Sequence, residues 1–368
     1  MTTALFWDER CFWHAGGDYV MTVPIDRHVQ PMVSGGLPES PETKRRLLNL
    51  TRVSGLERDL DLQSAPPADW DVLARVHPEP YLREFRNTSA EGGGELGLRT
   101  PFQKGGFEIA ALSAGLSVAA LDSVLKGHHR NSYALSRPPG HHCLPDWPNG
   151  FCLFANLAIA IEAARAAGLA ERFAVVDWDV HHGNGTEGIF YDRADVLTIS
   201  LHQERNYPLD TGDASDTGIG AGRGANLNIP LPPGTGHTGY LAAMERLVLP
   251  ALDRFQPDVI LVACGFDASA FDPLGRMLAT SETFRLMTRQ VMEAADRLCN
   301  GRLMMAHEGG YSEMHVPFCG HAVLEEMSGS KNSAADPLAE TLAARQPGSQ
   351  FDRFLDSWLD DVAAAHRI

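Results

Sequence analysis

The chain has 368 residues, 44% hydrophobic and 21% charged, with a formal net charge of −16. Those proportions fit a folded globule with a sizeable core, and the acidic balance argues against nucleic acid as a partner, because phosphate binding draws on Lys and Arg. Six cysteines (Cys11, Cys143, Cys152, Cys264, Cys299 and Cys319) lie mostly in apolar stretches with no C-x-x-C pair, which reads as free buried thiols in a reducing compartment. No basic-then-apolar leader opens the sequence and no stretch reads as a membrane span, so the expected location is cytoplasmic, without a membrane partner.

In chain order, apolar residues at three- and four-residue spacing predict helices over 41–53, 106–125, 156–166, 237–255 and 282–298. Gly127, Gly168 and Gly301 stand where C-terminal caps belong. Unbroken apolar runs predict strands at 133–136, at the run ending in Asp177, and at 196–201, 259–264 and 303–306. Continuous rather than alternating apolar strands, separated by helices, imply a parallel sheet covered on both faces, hence an α/β class. The glycine-rich stretches 91–97 and 211–224 read as loops inside one domain spanning 1–368.

Four polar motifs fall at or near strand ends: Arg137-Pro-Pro-Gly-His141-His142, Asp177-Trp-Asp179-Val-His181-His182-Gly-Asn184, Gly265-Phe-Asp267, and Glu308-Gly-Gly-Tyr311. Open α/β sheets bind ligands beyond the carboxyl ends of their strands, so four such segments point to one shared site. Asp179 and His181, two apart, project to the same side of an extended segment. With Asp267 they make an O,N,O set that leaves a fourth position for water, the pattern of a catalytic zinc; Fe(II) and Co(II) accept the same set. His141 and His142 are adjacent and point different ways, which suits proton transfer better than joint metal binding. Asp177 and Asn184 could supply one carboxylate and one amide partner, giving the two histidines different pKa values. Tyr311, after Gly309-Gly310, is placed to donate to an oxyanion. These parts can perform metal-assisted hydrolysis of an amide or ester without a Ser or Cys nucleophile. The glycine-rich string GIGAGRG at 218–224 is displaced from any strand-to-helix turn and does not read as nucleotide binding.

The stretches RPPGHH, DWDVHHGNGT, GFDASAFDPLG and EGGY together resemble the zinc-dependent histone deacetylase family, most closely its class II-like bacterial branch, over about residues 5–326. The resemblance implies the arginase-deacetylase fold, an open and mainly parallel eight-stranded sheet flanked by helices. It implies zinc on Asp179, His181 and Asp267, His141 paired with Asp177, His142 paired with Asn184 as general base and acid, and Tyr311 as oxyanion donor. Asn184 stands where the class I branch carries Asp. A structural potassium is implied at Asp177, Ser200 and the backbone of Asp179, His181 and Leu201, and a second near the carbonyls of Phe190, Arg193 and Val196.

For the substrate, the resemblance implies an acyl-lysine stem clamped between Phe151 and Tyr207, with Gly150 and Gly309 alongside. Tyr207 stands where many members carry Phe, and its hydroxyl, if left unpaired, would cost about 1 to 3 kcal/mol. Leu274 sits at the rim where polyamine-selective members place a glutamate; Glu204 and Glu95 are the acidic loop residues that could replace one. The activity expected is removal of acetyl or another short acyl group from lysine side chains or lysine-like amines. An acetylpolyamine deacetylase is the close alternative. An arginase-like ureohydrolase would read D-x-H-x-D where this chain has Asp177-x-Asp179-x-His181, and a non-catalytic acyl-lysine binder would have lost a ligand or the Tyr. A homo-oligomer, dimer or tetramer, is also implied.

Overall fold

Eight short runs, β1 (Thr3–Phe6), β2 (Leu60–Gln63), β3 (Asn131–Ala134), β4 (Phe173–Asp177), β5 (Val196–Gln203), β6 (Asn226–Leu231), β7 (Val259–Cys264) and β8 (Leu303–His307), pair into one sheet. The computed structural model in which they do so describes residues 2–15, 19–24 and 37–367. The order across the sheet is β6-β5-β4-β7-β8-β3-β1-β2, and every pairing is parallel. β4, β7 and β8 are buried along their whole length, which is why they are apolar throughout rather than on alternate residues.

After β4 the chain runs outward to β5 and β6, then returns to the other side of β4 as β7. That reversal opens a crevice at the carboxyl ends of β4 and β7, the place where α/β sheets bind ligands. The arginase-deacetylase architecture expected from the motifs is the one observed.

Helices Gly106–Leu125 and Asn156–Ala166 have the predicted bounds. Residues 237–255 are helical throughout but widen into one π-helical turn at Met244–Val248. Pro250 lacks the N–H that the Arg246 carbonyl would otherwise accept, and the wider turn accommodates the loss. Gly93–Glu95, read as loop, pairs antiparallel with Pro101–Gln103. The reading that no stretch could span a membrane is also corrected: Gly106–Leu125 is long and apolar enough by composition. Here it is a core helix, with residues such as Phe107, Leu112, Leu116, Leu121 and Val124 buried.

The segment carrying the two histidines is anchored at its start. Arg137 is buried, and its guanidinium donates to Glu39 Oε1 (3.0 Å), to the Cys11 and His14 carbonyls (3.0 and 2.7 Å) and to the Glu39 carbonyl (3.2 Å). Lys44 donates to the same Glu39 Oε1 at 2.8 Å. One carboxylate therefore balances two buried cations, so Glu39→Gln should destabilise the fold by about 3 to 5 kcal/mol at neutral pH. Burial opposes the charge on Glu39, but Arg137 and Lys44 outweigh it and lower its pKa from 4.5 to about 2. A folded-state pKa below the unfolded value gives stability that is present above 4.5 and lost as the pH falls toward 2. The gap between wild type and Glu39→Gln should close over that window. A gap of the same size at every pH in denaturant titrations would sink the assignment.

Candidate active site

The four motifs meet at the carboxyl ends of β3, β4, β7 and β8. Asp179 and His181 leave β4, Asp267 leaves β7, His141 and His142 follow β3, and Tyr311 follows β8. One ligand atom from each of Asp179, His181 and Asp267 lies within 4.8 Å of the others, and all three residues are buried.

Each carboxylate has one oxygen fixed and the other turned toward the imidazole. Asp179 Oδ2 accepts the Gly309 amide (2.8 Å), and Asp267 Oδ1 accepts the Val180 amide (2.7 Å). Asp179 Oδ1 and Asp267 Oδ2 then lie 3.1 and 3.0 Å from His181 Nδ1. Burial and the Asp179 charge push the Asp267 carboxyl up to about 6, because two buried carboxylates this close resist ionising together unless a cation joins them. The donor set fits a small divalent metal with hard oxygen and imidazole ligands.

Gly309, expected beside the substrate, approaches these carboxylates and is not among the described residues lining the cavity that leads to them. A Cβ on it would come within 2.2 Å of Asp267 Oδ2 and 2.6 Å of Asp179 Oδ2, so the backbone approaches the carboxylates as only glycine allows.

His141 Nδ1 lies 2.9 Å from Asp177 Oδ2, and His142 Nδ1 lies 2.8 Å from Asn184 Oδ1, so each histidine has the partner expected for it. Burial opposes a charge on His141, but Asp179 and Asp177 outweigh it and push His141 up to about 10. Burial, with His141 and His181 nearby, holds His142 well below its ordinary range. The two adjacent histidines are thereby pushed in opposite directions. Tyr311 is held protonated, since burial and the Asp267 and Asp179 carboxylates push its pKa well above the usual phenol range.

A cavity of about 170 Å³ leads to this cluster, lined by His142, His181 and Tyr311 at its base, by Phe151, Tyr207 and Gly150 along its walls, and by Thr22, Arg99, Asn206 and Leu274 toward solvent. Phe151 has a φ of +69°, an uncommon conformation for a bulky side chain that is tolerated where function fixes it. The Tyr207 hydroxyl donates to Asn149 Oδ1. The cost foreseen for an unpaired hydroxyl is therefore absent. Neither Glu204 nor Glu95 lines the cavity. Gly150 has a φ of +50°, and a Cβ on it would come within 2.4 Å of His142 Cδ2 and 3.0 Å of Tyr207 Cε1. Gly150→Ala should displace the His142 ring and lower kcat/KM by about tenfold or more, since small misplacements of catalytic groups are costly; wild-type rates would show that the ring has room to move.

Sequence reasoning missed three supports. Glu308 Oε2 accepts the Gly140 and His141 amides (2.7 and 3.1 Å), fixing the turn that carries both histidines. Asp272 accepts the amides of Tyr311 (2.7 Å) and Leu274 (2.8 Å), tying the oxyanion candidate to the rim. Arg99 reaches the cavity from just beyond the stretch 91–97 that reads as a glycine-rich loop. Glu308 and Asp272 both stood inside quoted motifs; only their acidity marked them.

A parallel α/β sheet with this donor set at its switch point defines a hydrolase site of the arginase-deacetylase type. Residues 37–327 match the family described as "Histone deacetylase domain". The chain is 56% identical over 362 residues to a "Histone deacetylase-like amidohydrolase" of Pseudomonas aeruginosa, covering 98% of this chain and 95% of that protein. It is 36% identical over 319 residues to the human "Polyamine deacetylase HDAC10", covering 84% of this chain and 47% of that one. Among solved structures, the HDA15 HD domain superposes with a TM-score of 0.80 at 30% identity, covering 99% of both chains. The chain belongs to the histone deacetylase family and is a deacetylase enzyme.

Proposed function

We propose that this enzyme is a zinc amidohydrolase that removes acetyl or another short acyl group from lysine side chains or lysine-like amines. The observation that carries the reading is the buried Asp179, His181 and Asp267 cluster at the base of a cavity walled by Phe151 and Tyr207. Held by those three residues, Zn²⁺ would supply a Lewis acid for the amide carbonyl and lower the pKa of water.

The chain's own groups do the rest. His142, neutral and oriented by Asn184, takes the proton of the attacking water and returns it to the leaving nitrogen as the C–N bond breaks. The products are a carboxylate and a free amine. His141, held by Asp177 at 2.9 Å, helps to stabilise the negative charge that develops, and Tyr311 donates its O–H to the oxyanion. Phe151 and Tyr207 flank the amine stem and exclude water from it.

A structural potassium would be held by Asp177, Ser200 and the carbonyls of Asp179, His181 and Leu201. Asp177 and Ser200 are register partners across β4 and β5, which sets these two residues side by side. A second potassium, at the carbonyls of Phe190, Arg193 and Val196, is part of the same proposal. The six cysteines, all buried and free, suit a reducing compartment, and we place the enzyme in the cytoplasm.

An acetylpolyamine is the second reading. The net charge of −16 favours it, while apolar Leu274 at the rim offers nothing to a secondary ammonium. The test is kcat/KM of zinc-loaded protein on an acetyl-lysine peptide and on N-acetylated polyamines, with and without a chelator. The peptide should be preferred, and chelation should abolish turnover until zinc is restored. Chelator-resistant turnover would overturn the zinc reading, and a polyamine preference would reverse the substrate assignment.

A further inference from the structure

We infer that Arg99 selects substrates carrying a carboxylate on the amine side of the scissile bond, close to where the acyl-amine stem leaves the cavity. The inference rests on the deacetylase reading above and names its substrate class more narrowly.

Arg99 lies in the outer ring of the cavity with Thr22, Asn206 and Leu274. All four are half-buried, whereas His142, His181, Gly150 and Phe151 deeper inside are buried. An acyl-lysine enters acyl group first, so its α-carbon and the residues beside it must stop at this ring. Among the described residues lining the cavity, Arg99 is the only permanently charged one, and none of them is Asp or Glu. Its guanidinium carbon sits 5.0 Å from the centre of the Tyr207 ring. A cation on that aromatic face keeps its N–H groups available to a ligand.

The backbone shows that the position is built. Arg99 has a φ of +59°, a conformation an arginine rarely adopts without a constraint. Its carbonyl accepts the Phe151 amide at 2.9 Å, and the Leu98 carbonyl accepts the Gly150 amide at 3.0 Å. Two residues that form the tunnel wall therefore fix the loop that presents the cation. The Thr100 amide donates to Glu95 Oε1 at 3.0 Å, a further tie within the same loop.

A fixed cation at the entrance repels a polyamine and attracts a carboxylate, although the protein as a whole is acidic. At the entrance the nearest charge prevails, because distant ones are screened beyond about 8 Å at physiological salt. The carboxylate could be an acidic side chain next to the acyl-lysine or the free α-carboxylate of a terminal acyl-lysine. Both present the same chemistry to Arg99.

The experiment compares kcat/KM on acetyl-lysine peptides flanked by Glu, by Ala or by Lys, and on a C-terminal acetyl-lysine as free acid or amide. Wild type should favour the carboxylate-bearing member of at least one set by about fivefold, the upper range for a partly exposed ion pair. The set that shows it identifies the source. The preference should shrink as salt is raised, vanish in Arg99→Asn, whose side chain tolerates the same backbone conformation, and survive in Arg99→Lys. Ratios between substrates are read within each variant, so a general loss of activity does not imitate the effect. Equal rates across both sets in wild type, an undiminished preference in Arg99→Asn, or its loss in Arg99→Lys would overturn the inference while leaving the deacetylase reading intact. No turnover of any acetyl-lysine substrate by zinc-loaded wild type would remove that reading and this inference with it.

Discussion

Tyr311→Phe should keep its full complement of zinc and its affinity for substrate while turnover falls by about 10² to 10³, the loss expected for one oxyanion donor. The substitution removes one oxygen and little else. The ring would still pack edge-on against Phe151, whose centre is 5.8 Å away. The backbone would still be held by the 2.7 Å bond from its amide to Asp272. Because burial and nearby carboxylates keep the phenol protonated, the hydroxyl acts as a donor across the working pH range, so the loss should not depend on pH near neutrality. The effect should appear in kcat with KM nearly unchanged, since the bond strengthens only as negative charge develops on the carbonyl oxygen. Wild-type turnover would remove Tyr311 from the chemistry, and a loss confined to KM would make it a substrate-packing residue instead.

Much of this site was legible in the sequence for a physical reason. β4, β7 and β8 are buried on both faces, so they read as unbroken apolar runs, and the polar residues that follow stand out against them. That the two adjacent histidines would take different partners, one a carboxylate and one an amide, followed from their differing directions; which took which came only from the family resemblance. The outer strands were not legible. β2 is four residues long and half-buried, and β6 contains Pro230, which an edge strand tolerates and a pattern search discounts. The helices Val316–Ser328 and Ser349–His366 also went unread. The role of Arg99 depends on hydrogen bonds between residues 98–99 and 150–151, and no spacing within either segment encodes that meeting. Gly309 shows a subtler limit: its motif placed it at the site, while its close approach to the Asp267 and Asp179 carboxylates is visible only in the distances.

Asp267→Ala should abolish zinc binding, and with it turnover, without unfolding the protein. Asp267 follows β7 while Asp179 and His181 follow β4, so its loss would leave only two candidate donors, both from one segment. The same carboxylate accepts the Val180 amide at 2.7 Å, which steadies the stretch between Asp179 and His181. Removing it therefore loosens the remaining donors as well as subtracting one. Asp267→Asn separates the two effects: its amide oxygen can still accept from Val180, yet it brings no negative charge to the metal. If charge at the metal dominates, both variants should lose zinc; if loop anchoring dominates, Asn should retain much of it. Zinc content after dialysis gives the direct readout, and thermal unfolding gives an independent one. Free zinc at 100 times its Kd should stabilise wild type by about 2.7 kcal/mol and leave Asp267→Ala unmoved. Full zinc occupancy in Asp267→Ala, or an undiminished zinc-dependent rise in Tm, would refute its role as a ligand and leave Asp179 and His181 as an incomplete set.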